Sequence, residues 1–128
     1  MDLKSYFEQT KGFGVLATAD AEGHVDGAVY ARPHVMDDGA LVFIMKDRLT
    51  HHNLQSNPRA AYVFREDGGG YKGKRLFLIK VRESEDPQLI ESLRRKSYPT
   101  RSEEPGAKEF AVFFSVEKEL PLIGAGSS

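Results

Sequence analysis

Leu41-Val-Phe-Ile-Met-Lys-Asp-Arg-Leu-Thr-His-His-Asn-Leu54 joins an apolar run to a polar corner. The run from Leu41 to Met45 reads as a buried strand. It breaks at Lys46-Asp47-Arg48, and a short helix is predicted to follow: Thr50 is a favoured N-cap type and Pro58 bars continuation beyond Asn57. Such a corner brings two cations and a hydroxyl to a helix N-terminus. First-turn N–H groups lack intrahelical acceptors and the positive dipole end faces out, so an anion such as phosphate fits there, and a guanidinium adds a charge-assisted fork. A plainer reading stands beside this one. Thr50, with Asp47 as the competing cap, only ends the helix, while Lys46 and Arg48 are solvated charges. No glycines cluster at the corner, so neither the P-loop nor the dinucleotide fingerprint applies.

On either side of that corner the chain is a succession of short strands and turns. Asp2 to Thr10 is predicted to be a short helix ended by Gly12 and Gly14, and Gly14 to Asp20 a strand. Ala21-Glu-Gly-His24 supplies a turn. A second strand is expected from Val25 towards Val35, with Pro33 marking an edge, bulge or bend. Asp37-Asp38-Gly39 is a hairpin signal leading into the Leu41 strand. Beyond Pro58, Ala60 to Arg65 and Lys74 to Glu83 are strands joined by the polar, glycine-rich loop Glu66 to Gly70. On the Lys74–Glu83 strand, Arg75, Phe77, Ile79 and Val81 share one face, with Leu76, Leu78, Lys80 and Arg82 on the other. Asp86-Pro87 opens a helix with Leu89, Ile90 and Leu93 on one side. Tyr98 to Ala107 reads as an exposed loop and Phe110 to Val116 as the last strand. The apolar tail Leu120-Pro-Leu-Ile-Gly124 suggests packing against a partner subunit. Hairpin succession with short helices describes a mainly β fold, a small antiparallel barrel with helices packed outside.

With 128 residues the chain is one domain, residues 1–128, with a real core. A net charge of −1 gives no general attraction to nucleic acid or to anionic membranes. The absence of cysteine excludes disulfides and thiolate chemistry and suits a reducing compartment. No signal peptide is visible, and no apolar run approaches the roughly 20 residues that span a bilayer, so a cytoplasmic protein is expected. His51 and His52 are adjacent and point about 100° apart on a helix, and His24 and His34 lack zinc spacing; no metal site is expected. Tyr71, Lys72, Lys74 and Arg75 are read as a solvated loop rather than a nucleic-acid patch. No Ser-His-Asp or Cys-His arrangement follows from residue order.

From Gly14 to Val116 the sequence resembles the pyridoxamine 5'-phosphate oxidase-like FMN-binding split barrels. The likeness lies in Gly-Val-Leu-Ala-Thr-Ala-Asp-Ala-Glu-Gly-His from Gly14 to His24, then Asp38-Gly39 before an apolar strand. The polar corner with Asn53-Leu54 comes next, and Asn57-Pro58-Arg59-Ala60 leads into another strand. The resemblance implies an antiparallel, Greek-key-like split β-barrel that binds FMN at the interface of a homodimer. Within it the corner Lys46, Asp47, Arg48, Leu49 and Thr50, with Asn53, holds the FMN phosphate. Family members commonly place a basic pair or a Lys-Thr pair where this chain has Leu49 and Thr50; Arg48 or Lys46 would supply the missing charge. Val29, Tyr30, Ala31 and Arg32 match the segment lying along the isoalloxazine ring, and Arg75 a polar position near the cofactor. Seen alone, Tyr30 is a strand aromatic and Arg32 an edge charge.

The function so implied is flavin-dependent oxidation or reduction of a small-molecule redox substrate or electron donor, with no catalytic acid or base identified. Oxidation of pyridoxamine phosphate itself is not expected. The chain is shorter than those enzymes and lacks their C-terminal arginine–histidine pattern after Phe114. The alternatives are a non-enzymatic flavin-binding or electron-transfer protein, or a barrel binding another ligand such as a deazaflavin or haem. Haem is the weaker of these, since no paired axial histidines appear.

Overall fold

A computed structural model of the chain describes residues 2–95 and 108–124. Helix α1 (Leu3–Gln9) is followed by strands β1 (Gly12–Ala19), β2 (Val25–Val29), β3 (His34–Val35) and β4 (Leu41–Lys46). Helix α2 (Leu49–Ser56), β5 (Arg59–Glu66), β6 (Gly73–Ser84), α3 (Pro87–Arg95) and β7 (Glu109–Pro121) complete the order. The strands form one antiparallel sheet in the order β2-β1-β5-β6-β7-β4-β3, rolled into a split barrel. The architecture is mainly β, as the hairpin pattern predicts. No described helix is long and apolar enough to cross a membrane. The expected loop from Tyr98 to Ala107 lies outside the described residues.

Period-two alternation sorts the side chains. Leu16, Tyr62, Phe64, Leu76 and Leu78 point inward with Phe43, Met45, Phe110, Val112 and Phe114. Helices α1 and α2 flank the barrel, each turning one face inward to add Phe7 and Leu54 to that interior cluster. Among the described residues, α3 covers an outer surface, where Ile90 and Leu93 pack on Val42, Ala111 and Phe113. The strict alternation expected of β6 ends at a register shift between Lys80 and Arg82. An extra residue on one strand re-aims the side chains beyond it. Arg82 consequently lies on the outer side, 3.6 Å from the Phe113 ring centroid.

The opposite outer face has no such cover. Ladder register aligns Val29, Val15, Val63, Arg75 and Leu120 in one row across β2-β1-β5-β6-β7, and Gly27, Ala17, Ala61 and Phe77 in the next. Both rows point away from the interior cluster, and among the described residues no helix contributes side chains over them. Val29 is 67% exposed at the edge of this face, while Val15, Ala17, Ala61, Val63 and Phe77 are half-buried by their neighbours in the sheet.

Several boundaries move for identifiable reasons. The second predicted strand divides at Tyr30, because the chain must leave the edge of one half of the sheet and join the other. Pro33 is fully buried at that bend. The Asp38-Gly39 hairpin forms as expected, with Gly39 at φ 93° and Ala40 N–H donating to Asp38 Oδ1. β7 continues past Val116 to Pro121, placing Leu120 opposite Arg75 in the ladder instead of in a loose tail. Its extension is held further by Leu122 N–H donating to Gly73 O.

Candidate functional site

Helix α2 begins two residues earlier than a Thr50 cap would place it. Arg48, not Thr50, occupies the N-cap position, and its side chain makes no capping hydrogen bond. The first-turn N–H groups of Leu49, Thr50 and His51 therefore precede any intrahelical acceptor. Thr50 sits inside the first turn, buried, with its hydroxyl close enough to the Tyr30 phenol to influence its titration. Burial pushes that phenol's pKa up, opposed by the Thr50 hydroxyl and by the nearby Arg48 guanidinium. The end of β2 and the start of α2 thus bring Tyr30 near Thr50 and within the electrostatic reach of Arg48. Leu49 is 55% exposed beside them, and Val29 and Ala31 are exposed on the adjoining strand end.

The other sequence candidates are engaged elsewhere. Lys46 has a side chain only 12% exposed and lies 4.0 Å from Glu109, which also accepts from Arg94 of α3 at 2.5 Å. It belongs to the α3 side of β4, away from Tyr30. Arg32 Nη1 donates to the carbonyls of Phe7 and Thr10 at 2.8 and 2.9 Å and ties the end of α1 to the barrel. Asn53 is buried and donates to Thr18 Oγ1 at 3.0 Å, fastening α2 to β1. Arg75 donates to the carbonyls of Pro121 and Gly124, at the far end of the outer row from Val29. Asp47 is exposed, with Oδ1 3.4 Å from His51 Nδ1.

His51 is the residue that sequence reasoning passed over. It is buried, stacked on Phe110 with centroids 3.7 Å apart and planes 13° apart, and its Nε2 lies 2.9 Å from Glu83 Oε2. Lys80 donates to Glu83 Oε1 at 2.6 Å and Gln55 at 3.1 Å. Burial alone would raise the Glu83 pKa, but the bonds from Lys80, His51 and Gln55 outweigh it and hold the carboxyl at about 2. This network braces α2 from below, and it carries a pH signature. Between the ordinary glutamate value near 4.5 and about 2, the unfolded chain binds a proton that the folded chain does not, so stability falls as pH falls through that window. Glu83→Gln should cost about 1.5–3 kcal/mol at neutral pH, the worth of hydrogen bonds to a charged group. Urea unfolding at a series of pH values should show the gap from wild type narrowing through the same window.

Only the turn after β1 gathers three potential metal donors among the described residues. Asp20, Glu22 and His24 have ligand atoms within 4.8 Å of one another. Asp20 Oδ1 already accepts from the Glu22 and His24 N–H groups, and its Oδ2 faces His24 Nδ1 at 2.9 Å. That geometry accounts for the turn itself.

As a sequence the chain matches no protein-family model and no curated protein. Its fold does match solved structures. An FMN-binding protein from Syntrophomonas wolfei subsp. wolfei superposes with a TM-score of 0.75 at 16% identity, covering 96% of this chain and 85% of that one. An F420 reductase gives 0.72 at 17% identity, covering 90% and 94%. A pyridoxamine 5'-phosphate oxidase-like protein from Lactobacillus delbrueckii gives 0.68 at 19% identity, covering 94% and 92%. At these identities the likeness is one of fold. With the strand order and corner described above, it means that the chain folds as a pyridoxamine 5'-phosphate oxidase-like split barrel.

Proposed function

We propose that this chain binds FMN as a homodimer and serves as a flavin-dependent oxidoreductase. The observation that carries the proposal is the α2 N-terminus, where uncapped first-turn N–H groups meet Arg48, Thr50 and Tyr30 beside the exposed end of β2. Those groups suit a phosphate: the helix dipole and first-turn N–H donors lie beside residues that carry a hydroxyl and a guanidinium. FMN would supply hydride or electron transfer at its isoalloxazine ring. The chain's part is to anchor the phosphate at Arg48 and Thr50 and to lay the ring along Val29, Tyr30 and Ala31. A partner subunit would exclude water.

The uncovered outer face supports the dimer. Val29 belongs both to the candidate site and to the apolar row running through Val15 and Val63. A second copy covering that row would close over the corner as well.

A deazaflavin is the second reading, favoured by the likeness of fold to an F420 reductase. The row beyond Val29 argues for FMN. A cofactor with an oligoanionic tail needs a basic track, and Val15 and Val63 are apolar.

Titrating apo-protein with FMN, riboflavin, FAD and the deazaflavin tests the reading. FMN should bind tightest, because riboflavin lacks the phosphate and the adenylate of FAD would crowd the corner. Equal affinity for FMN and riboflavin would remove the phosphate site from the argument. An enzyme, unlike an electron carrier, should reoxidise selectively with one class of acceptor.

A further inference from the structure

Tyr62 is fully buried, yet its hydroxyl reaches the rim of the candidate site. Its ring lies in the interior cluster, with centroids 5.0 Å from Phe43 and 6.2 Å from both Phe7 and Phe64. These contacts fix the ring, because a packed aromatic leaves few rotamers. The hydroxyl then donates to the carbonyls of Tyr30 and Ala31, at 3.0 and 3.1 Å.

The path is open only because residue 14 is glycine. A Cβ on Gly14 would stand 2.0 Å from the Tyr62 hydroxyl. Gly14 also accepts from the Tyr30 N–H through its own carbonyl, at 3.1 Å. Both backbone polar groups of Tyr30 are therefore held by the Gly14–Tyr62 pair. Two residues on, Arg32 is tied to the end of α1 and Pro33 is buried. The link from β2 to β3 thus has a fixed path, and Tyr62 is its tether nearest the exposed Ala31.

We propose that Tyr62 is a positioning residue of the cofactor site: through the gap left by Gly14, its phenol sets the Tyr30–Ala31 backbone that borders the flavin ring. The proposal rests on the flavin reading above and adds a residue remote from the phosphate corner. Pre-organised backbone costs a ligand less ordering on binding, so its loss appears as affinity. The effect falls on the ring side of the site. It must be the same for FMN and riboflavin, whereas loss of a phosphate contact separates the two.

Tyr62→Phe tests this, since it keeps the ring and removes only the hydroxyl. In the apo-protein, hydrogen exchange at the Tyr30, Ala31 and Arg32 amides should accelerate while β5–β6 ladder amides keep their rates. FMN and riboflavin affinities should fall by the same factor, about three- to tenfold for one lost hydrogen bond. The visible circular dichroism of the bound flavin should change with them. Val112→Ala, a core truncation away from the link, should lower thermal stability and leave flavin affinity and dichroism as in wild type. Gly14→Ala, which crowds the hydroxyl, should reproduce the Tyr62→Phe pattern. Unchanged amide exchange in Tyr62→Phe would overturn the positioning role. So would a loss confined to FMN, or an equal loss of affinity in Val112→Ala. A wild type that binds no flavin would instead overturn the flavin reading, and the exchange arm would still decide whether Tyr62 holds the link.

Discussion

Ala61→Arg is expected to give a folded monomer that no longer retains FMN. Ala61 stands opposite Ala17 and Phe77 on the uncovered outer face, while its neighbours Ala60 and Tyr62 point inward. A guanidinium there is solvated in an isolated subunit, so the barrel core is untouched and the melting transition should persist. In a dimer closed over that face, the same charge would be buried without a partner. Burying an unpaired charge costs several kcal/mol, enough to shift association by about a thousandfold or more. Because a ligand that binds only the dimer is linked to association by mass action, flavin affinity should collapse in step. Sedimentation with and without FMN would measure both. A variant that remains dimeric and yellow would exclude this face as the interface, and a wild type that is monomeric with FMN tightly held would remove the interface from the proposed site.

Arg48→Ala should weaken FMN at least about tenfold and leave riboflavin almost unchanged, since hydrogen bonds to charged groups contribute roughly 1.5–3 kcal/mol. The structure sharpens why Arg48 is the residue to change. Lys46, the other cation of the corner, lies beside Glu109 under α3, so Lys46→Ala should disturb α3 docking before it disturbs phosphate. Thr50→Ala should affect FMN as well, through the phosphate contact and through the lost hydroxyl beside Tyr30. Fluorescence titration with the two flavins separates these cases. Normal FMN binding in Arg48→Ala would put the anion elsewhere.

The contrast between Lys46 and Arg48 shows where sequence reading runs out. Both are long cations at the end of one strand, two positions apart, and local pattern gives no ground for choosing. β4 turns them apart: Lys46 ends the ladder opposite Glu109, and Arg48 begins the helix. Resemblance likewise sets Arg32, Asn53 and Arg75 near a cofactor. Their partners, on α1, β1 and the end of β7, appear only once the barrel closes. Thr50 is the right residue type for a cap but sits inside the turn, because Arg48 can adopt the extended N-cap backbone without using its side chain.

Local elements follow from residue order. Apolar alternation, Asp38-Gly39, Asp86-Pro87 and Asn57-Pro58 act over a few residues, so the mainly β hairpin succession and the strand-to-helix corner were legible in the residues alone. Tertiary structure alone decided which polar side chains meet. A buried donor must find its acceptor wherever the closed sheet brings one, and ladder register sets that pairing across the whole chain. His51 joined Glu83 in this way, Tyr62 reached the Tyr30 and Ala31 carbonyls past Gly14, and, among the described residues, one outer face was left without a covering helix.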